Sequence, residues 1–144
     1  MRDTSELTTI RPQVSITDRR TGRDYESLSA SGFGAVLCLD RGEFDFDADP
    51  DLLPLTVWLR PLGQGGLTRE AFEGAVAALR ALVECHGKVV VHCHHGVGRS
   101  VAVVAAYLVE TEGLSPEAAL DEVAGLRGGR GEVSRQLCLM VGFT

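Results

Sequence analysis

Apolar residues in the middle of the chain recur every three or four positions, which is the spacing of one face of an α-helix. The repeat runs from Phe72 to Val83, and Thr68 supplies a hydroxyl that can cap the first turn. Gly87 closes the pattern, as glycine commonly does just past the end of a helix. The sequence therefore predicts an amphipathic helix between Thr68 and Gly87.

The segment that follows alternates between strand and helix patterns. A β-branched run over 88–93 predicts a strand that is buried on both faces. Residues 99–112 are apolar nearly all round the helical circumference, which predicts a central buried helix ending at Gly113. The tripeptide at 115–117, Ser-Pro-Glu, combines a capping hydroxyl, a first-turn proline and an early acid. It predicts a further helix that extends to about residue 126.

The remaining patterns are shorter. They predict a flexible tail or strand lead-in at 1–12, a helix at 24–31, strands at 35–40 and 55–60 separated by a loop, and a last helix at 132–141. Strands that alternate with helices predict an α/β fold. We expect a mostly parallel sheet of four to five strands with helices on both faces, formed by residues 13–144 as a single domain.

Composition narrows the classes of partner. The 144 residues are 44% hydrophobic and 24% charged, which is typical of soluble globular chains. Acidic residues outnumber basic ones by 20 to 14, and no basic stripe follows the chain, so nucleic acid is not expected as a partner. The N-terminal residues lack the apolar core of a signal peptide, and no apolar run approaches the length of a membrane span. We therefore expect a cytoplasmic protein without a membrane partner.

The cysteines and histidines do not predict a metal site or a disulfide scaffold. The four cysteines are irregularly spaced and form no CxxC pair. Three histidines, His92, His94 and His95, surround Cys93, but neighbours on a strand and its loop point in divergent directions, and no second ligand cluster exists in the sequence. We expect no metal and no cofactor.

The chemistry is concentrated between residues 91 and 100, which read VHCHHGVGRS. A strand, a glycine-bearing loop and a helix N-terminus form an anion site, because backbone N–H groups and the helix dipole favour negative charge. Arg99 can clamp two phosphate oxygens. The same field favours the thiolate of Cys93, which could attack phosphorus, while the Ser100 hydroxyl could donate to the sulfur.

The segment HCHHGVGRS resembles the HCxxGxxR(S/T) signature of the protein tyrosine phosphatase superfamily, and its flanks resemble the small dual-specificity branch. The resemblance implies that Cys93 is the phosphocysteine nucleophile, Arg99 the phosphate clamp and Ser100 the hydroxyl donor. It also implies that His92 orients the loop from beneath and that Gln136 lies near the position of water attack. The implied phosphate cradle consists of the backbone amides of His94, His95, Gly96, Val97, Gly98 and Arg99.

One feature of that superfamily is missing from its usual place. Its members carry a general-acid aspartate about 30 to 40 residues before the cysteine, but residues 53–63 read LPLTVWLRPLG and contain no carboxylate. Asp40 is the preferred substitute, because it ends a predicted strand, and strand C-termini form the sites of open parallel sheets. The acids Glu43, Asp45 and Asp47 on the following loop are the next candidates.

Three functions fit these residues. The first is a cysteine-dependent phosphatase for phosphotyrosine, with phosphoserine, phosphothreonine and small phosphomonoesters left open as further substrates. The second is a phosphate-recognition module, a pseudophosphatase, with weak or no turnover because the acid is missing. The third is a sulfurtransferase of the rhodanese type, which the five residues between Cys93 and Arg99 disfavour.

Cys38 is a candidate redox partner of Cys93. It lies in a strand expected beside the one that ends in Cys93, and parallel neighbours about 4.8 Å apart fall within the Cα range of roughly 4.4–6.8 Å that a disulfide requires. A second thiol at that distance would trap the sulfenic acid of Cys93 as a reversible disulfide. The alternative is that Cys38 is simply a small buried apolar side chain.

Overall fold

The structure is a computed structural model, and it describes residues 7–22, 24–39, 56–59, 68–93 and 98–128. Its strands are β1 (Thr8–Arg11), β2 (Val14–Thr17), β3 (Ala35–Cys38), β4 (Thr56–Leu59) and β5 (Val89–His92). Its helices are α1 (Arg19–Gly22), α2 (Tyr25–Ala30), α3 (Arg69–His86), α4 (Arg99–Glu112) and α5 (Pro116–Arg127). The predicted helix at 132–141 and the loop at 41–54 lie outside these residues.

The described strands form one sheet in the order β1-β2-β5-β3-β4. The pairings β2–β5, β5–β3 and β3–β4 are parallel, and β1 pairs antiparallel with β2. The prediction of a mostly parallel α/β sheet is therefore confirmed, and the antiparallel pairing of β1 makes the sheet mixed. β5, whose last residue His92 begins the HCHHGVGRS segment, lies in the centre of the sheet.

The segment 1–12, for which the sequence predicts a tail or strand lead-in, contains the strand β1 itself at 8–11. Its antiparallel partner β2 follows after a two-residue turn and is fully buried. Only one of the four residues of β1, Ile10, is apolar and buried, so the local pattern carries almost no strand signal. Pairing with β2, which depends on the rest of the sheet, forms this strand.

The caps that the sequence predicts are formed at the helix ends. The Thr68 hydroxyl accepts a hydrogen bond from the amide of Ala71 at 3.0 Å, and the Ser115 hydroxyl accepts one from the amide of Ala118 at 3.1 Å. Such caps satisfy amides that have no partner within the helix. α4 ends at Gly113, whose φ of 73° is left-handed and therefore suits glycine.

Two hydrophobic clusters lie on the two faces of the sheet. The larger contains the inward residues of α3, α4 and α5 together with Val89, Val91 and Cys93. The smaller contains Leu28, Phe33, Val36 and Val90 and lies beneath α2. Helices thus cover both faces, as the sequence predicts. No helix in the described part of the chain is long and apolar enough to span a membrane.

Ion pairs and a hydrogen bond connect β1 to α4 and α5. The Arg11 guanidinium donates to both carboxylate oxygens of Glu112, at 2.7 and 2.9 Å, and also to the carboxylate of Glu122. The hydrogen bond from Arg11 holds the pKa of Glu112 below its ordinary value of 4.5. Arg127 at the end of α5 donates to the Thr8 hydroxyl at 3.0 Å. These contacts connect the edge strand to α4 and α5.

Candidate active site

Cys93 lies directly after β5, at the carboxyl end of the central parallel strand. Its side chain is 3% exposed and belongs to the larger hydrophobic cluster, together with Leu39 and Val101. β2 and β3 flank β5 in parallel, so three carboxyl ends converge at this edge. In open α/β sheets, this edge is where ligands bind.

The first turn of α4 supplies the next group of predicted residues. Its N-cap is Gly98, which has no side chain to cap the helix, and its first turn contains no acid. The N-terminal amides and the positive end of the dipole are therefore not neutralised by residues of that turn. Arg99, the first helical residue, is half-buried. This end of α4 is suited to an anion.

Ser100 is fully buried, and its hydroxyl has no hydrogen-bond partner among the residues that the structure describes. Buried hydroxyl groups are normally paired, because leaving one unpaired costs about 1–3 kcal/mol. The hydroxyl lies in the first turn of α4, and no hydrogen bond joins it to the Cys93 thiol in the structure, so the predicted donor role stays a prediction.

His92 is buried and lies on the face of the sheet that α1 and α2 cover. The parallel registers pair it with Thr17 on β2 and with Cys38 on β3, so these three residues form one row across the sheet. Residues that are paired in a sheet project to the same face. Gly22 of α1 packs on the imidazole ring from above.

Cys38 is therefore in register with His92 and not with Cys93. The residue next to it, Leu39, donates its amide to the His92 carbonyl at 2.8 Å and lies in the same cluster as Cys93. Cys38, Cys85 and Cys93 are all thiols in this structure. A bridge from Cys38 to Cys93 would require the chain after β5 to rearrange, so this pairing stays a prediction.

Several predicted site residues lie outside the described part of the chain. They include the middle of the predicted phosphate cradle, His94, His95, Gly96 and Val97, as well as Gln136 and the candidate acids Asp40, Glu43, Asp45 and Asp47. Within the described residues, no group of three or more potential ligands is arranged to hold a metal ion. Of the predicted site residues, the structure describes His92 and Cys93 at the end of β5 and Gly98, Arg99 and Ser100 at the start of α4.

Sequence reasoning missed the elements that surround His92. The helix α1 and its residue Gly22 come from the polar stretch DRRTGRD, which looks like a loop. The strand β2 was detectable, since Val14-Ser-Ile-Thr17 alternates apolar and polar residues with the period of a strand. The contact between Gly22 and His92 has no local signal, because it forms only when α1 packs on the sheet.

Comparison with known protein families agrees with this geometry. The dual specificity phosphatase catalytic domain matches residues 29–140, which include the β5–α4 junction. The chain belongs to this family. The matched range contains both β5 and α4.

The chain is similar to two human proteins. It is 31% identical over 104 residues to dual specificity protein phosphatase 12, covering 71% of this chain and 31% of that protein. It is 30% identical over 121 residues to cyclin-dependent kinase inhibitor 3, covering 76% of this chain and 56% of that protein. The chain thus spans about a third of the length of the first relative and about half of the second.

The fold is similar to that of Tk-PTP, whose crystal structure is described as its active form. The TM-score is 0.75 at 23% identity, and the alignment covers 94% of this chain and 95% of that one. At this identity the likeness concerns the fold alone. It extends over nearly the whole of both chains.

Proposed function

We propose that this dual-specificity phosphatase family member hydrolyses phosphotyrosine in proteins by covalent catalysis at Cys93. Its partners would be phosphorylated proteins or small phosphomonoesters in the cytoplasm. The observation that carries the proposal is the buried Ser100 hydroxyl. It has no hydrogen-bond partner within the described residues and lies in the first turn of α4, shortly after Cys93 in the sequence. A phosphocysteine mechanism gives this hydroxyl a function.

The chemistry proceeds in two displacements. The Cys93 thiolate attacks phosphorus, the P–O bond to the substrate breaks, and the leaving oxygen takes a proton from a general acid or from solvent. Water then attacks the phosphocysteine and gives its proton to the deprotonated general acid or to solvent, the S–P bond breaks, and inorganic phosphate leaves. Arg99 and the amides at the start of α4 stabilise the phosphoryl oxygens throughout. The Ser100 hydroxyl donates to the thiolate as it departs.

The direct test compares three variants on an aryl phosphate. We expect Cys93→Ser to lose turnover but still bind tungstate, because a serine hydroxyl is a much weaker nucleophile than a thiolate while the anion site persists. Arg99→Ala should lose both turnover and tungstate binding. Cys85→Ser, which changes an exposed cysteine at the end of α3, is the matched control and should behave as wild type. A Cys93→Ser protein that retains a tenth of wild-type activity would rule out the covalent mechanism.

A second function is supported by one observation, the absence of any carboxylate between residues 53 and 63. Without a general acid, the protein would bind phosphate groups and release them unchanged, as a pseudophosphatase. General-acid catalysis is typically worth about 10²–10⁴-fold. Alkyl phosphates need this help more than aryl phosphates, because an alkyl oxygen cannot leave without a proton.

The dependence of the hydrolysis rate on the leaving group therefore distinguishes the phosphatase from the recognition module. We expect turnover of an aryl phosphate and rates lower by about 10²–10⁴-fold on a phosphoserine peptide. If Asp40 is the acid, Asp40→Asn should lower kcat on the peptide and flatten the basic limb of its pH profile. Equal rates for Asp40→Asn and wild type would exclude Asp40 and leave Glu43 as the next candidate. Tungstate binding without turnover of either substrate would favour the recognition module.

A further inference from the structure

The backbone of α1 lies unusually close to the imidazole of His92. A methyl group built on the Cα atom of Gly22 would lie 2.3 Å from Cδ2 of His92, 2.5 Å from Cγ and 3.0 Å from Nε2. The first two distances are far shorter than any carbon–carbon contact, and the atoms belong to a ring that strands flank on both sides. Any side chain larger than hydrogen at position 22 must therefore displace the ring or the helix.

Backbone conformation does not explain why this residue is glycine. Gly22 is helical and is not among the described glycines with positive φ, which are Gly32, Gly87, Gly113 and Gly128. Glycine is a poor helix former, and alanine would be preferred at such a position on propensity alone. The close approach to His92 is thus the physical reason for glycine here.

Hydrogen bonds fix the turn that carries Gly22. The Asp18 carboxylate accepts from the amide of Thr21 at 2.9 Å, and the Asp18 carbonyl accepts from the amide of Gly22 at 3.0 Å. The amide of Asp24 donates to the Thr21 carbonyl at 3.1 Å. These bonds hold the conformation of the turn, so a side chain at position 22 cannot be accommodated by a change of the local backbone without breaking them.

The ring is enclosed on its other sides by the sheet. Thr17 and Cys38 are its neighbours in register on β2 and β3, and all three side chains are buried. Cys93 is the next residue in the chain. An imidazole held in this way fixes the direction in which the backbone leaves β5 and enters the predicted phosphate loop.

We propose that Gly22 is a positioning residue for the active site: it lets α1 pack on the His92 ring and so holds the start of the phosphate-binding loop. Its effect on turnover rests on the proposed function. Its effect on the ring does not, because the packing exists whether or not the protein catalyses hydrolysis.

The test replaces helical glycines by alanine. Gly22→Ala is the test variant, and Gly125→Ala is the control, because a methyl group at this exposed position of α5 meets nothing within 4 Å. Each change is made in wild type for kcat and in Cys93→Ser for tungstate affinity. Imidazole ¹⁵N chemical shifts are recorded on histidine-labelled protein, with the His92 signals among the four histidines assigned by His92→Gln.

We expect Gly22→Ala to shift the His92 signals and to lower tungstate affinity and kcat by about tenfold or more, since a misplacement of about 1 Å can cost about 10²-fold in rate. Gly125→Ala should change none of these. Removing the ring should abolish the effect, so that in a His92→Ala background Gly22→Ala lowers tungstate affinity by less than about twofold.

Unchanged His92 signals in Gly22→Ala, or losses that add fully in the double variant, would overturn the proposal. If Gly22→Ala fails to fold, the double variant with His92→Ala must fold, because the clash with the ring is gone. Failure of both variants to fold would also overturn the proposal. If wild type has no phosphatase activity, the chemical shifts and tungstate affinities still decide the matter, so the two failures are distinguishable.

Discussion

The two faces of the sheet differ in what they bury. Along β5, Val89 and Val91 join the large aliphatic cluster beneath α3, α4 and α5, whereas Val90 and His92 project towards α1 and α2. Both faces of the described sheet are buried; the second buries the imidazole of His92, and the first buries the Cys93 thiol where β5 ends.

β2 shows the same division. Val14 and Ile16 belong to the large cluster, and Ser15 and Thr17 are buried on the opposite face. Burying hydroxyl groups stabilises a fold less than burying methyl groups, because their dehydration must be offset by hydrogen bonds. The large cluster is thus apolar apart from the Cys93 thiol, whereas the opposite face also buries Ser15, Thr17 and His92.

The largest difference between the two faces should be in the loss of unfolding free energy when a buried leucine on each face is replaced by alanine. Leu79 of α3 is fully buried in the large cluster, and Leu28 of α2 is 3% exposed in the small one. We expect Leu79→Ala to lower the free energy of unfolding by about 3–5 kcal/mol and Leu28→Ala by about 2–3 kcal/mol, since the smaller cluster can collapse around the cavity.

Urea unfolding monitored by circular dichroism measures both values. The slope of the unfolding free energy against urea should be the same for both variants and wild type, which shows that the truncations act on the native state. A Leu28→Ala variant that is destabilised as much as Leu79→Ala would contradict this difference between the faces.

Oxidation tests whether Cys38 can form a disulfide with Cys93, although Cys38 is in register with His92. If the chain after β5 rearranges enough for a bridge, mild peroxide should inactivate wild type, and dithiothreitol should restore activity. Cys38→Ser should be inactivated equally but recover poorly, because its Cys93 continues to sulfinic acid. Cys85→Ser, on the surface, should recover like wild type.

Mass spectrometry of the oxidised protein gives a readout that does not need activity. A Cys38–Cys93 disulfide is expected in wild type. Detection of Cys93 only as sulfinic acid, or bridged to Cys85 or Cys138, would exclude the pairing and leave Cys38 as a buried neighbour of His92.

The smallest effect should come from the ion pairs at the sheet edge, outside both faces. We expect Glu112→Gln to lower the free energy of unfolding by about 0.5 kcal/mol at neutral pH, because pairs this exposed are screened by solvent. Since Arg11 lowers the pKa of Glu112 in the folded state, this stability is present above the ordinary pKa and is lost as the pH falls through the lowered one.

Urea unfolding near pH 7 and near pH 3 measures this loss. The difference between wild type and Glu112→Gln should shrink at the acidic value. Glu110→Gln removes an exposed carboxylate from the same helix and serves as the control. A difference that grows on acidification would show that the sign of this linkage is wrong.

The long helices could be predicted because their signals are local. Apolar periodicity defines the buried face of α3, and the capping residues Thr68, Ser115 and Gly113 set helix ends within one turn. The chemistry predicted for the HCHHGVGRS segment is equally local, since a strand pattern, glycines and a helix pattern follow one another in the sequence. The family model that matches residues 29–140 confirms the family predicted from that segment.

The face of the sheet that buries Ser15, Thr17 and His92 could not be predicted, because it is formed by contacts between distant parts of the chain and not by a local sequence pattern. β1 and α1 are four residues each, too short for periodicity, and they form only against the rest of the sheet. The row of Thr17, His92 and Cys38 depends on the register of three strands. A shift of one residue would turn Cys38 to the other face, so sequence alone could place it beside the strand of Cys93 but not orient it.

β1 also affects how copies of the chain meet one another. It stands at the end of the strand order, has only four residues, and its register with β2 slips by one residue between Thr9 and Arg11. Long regular edge strands act as templates on which another chain can add, whereas short, irregular and charged ones do not. Growth of a continuous sheet from molecule to molecule is therefore disfavoured at β1.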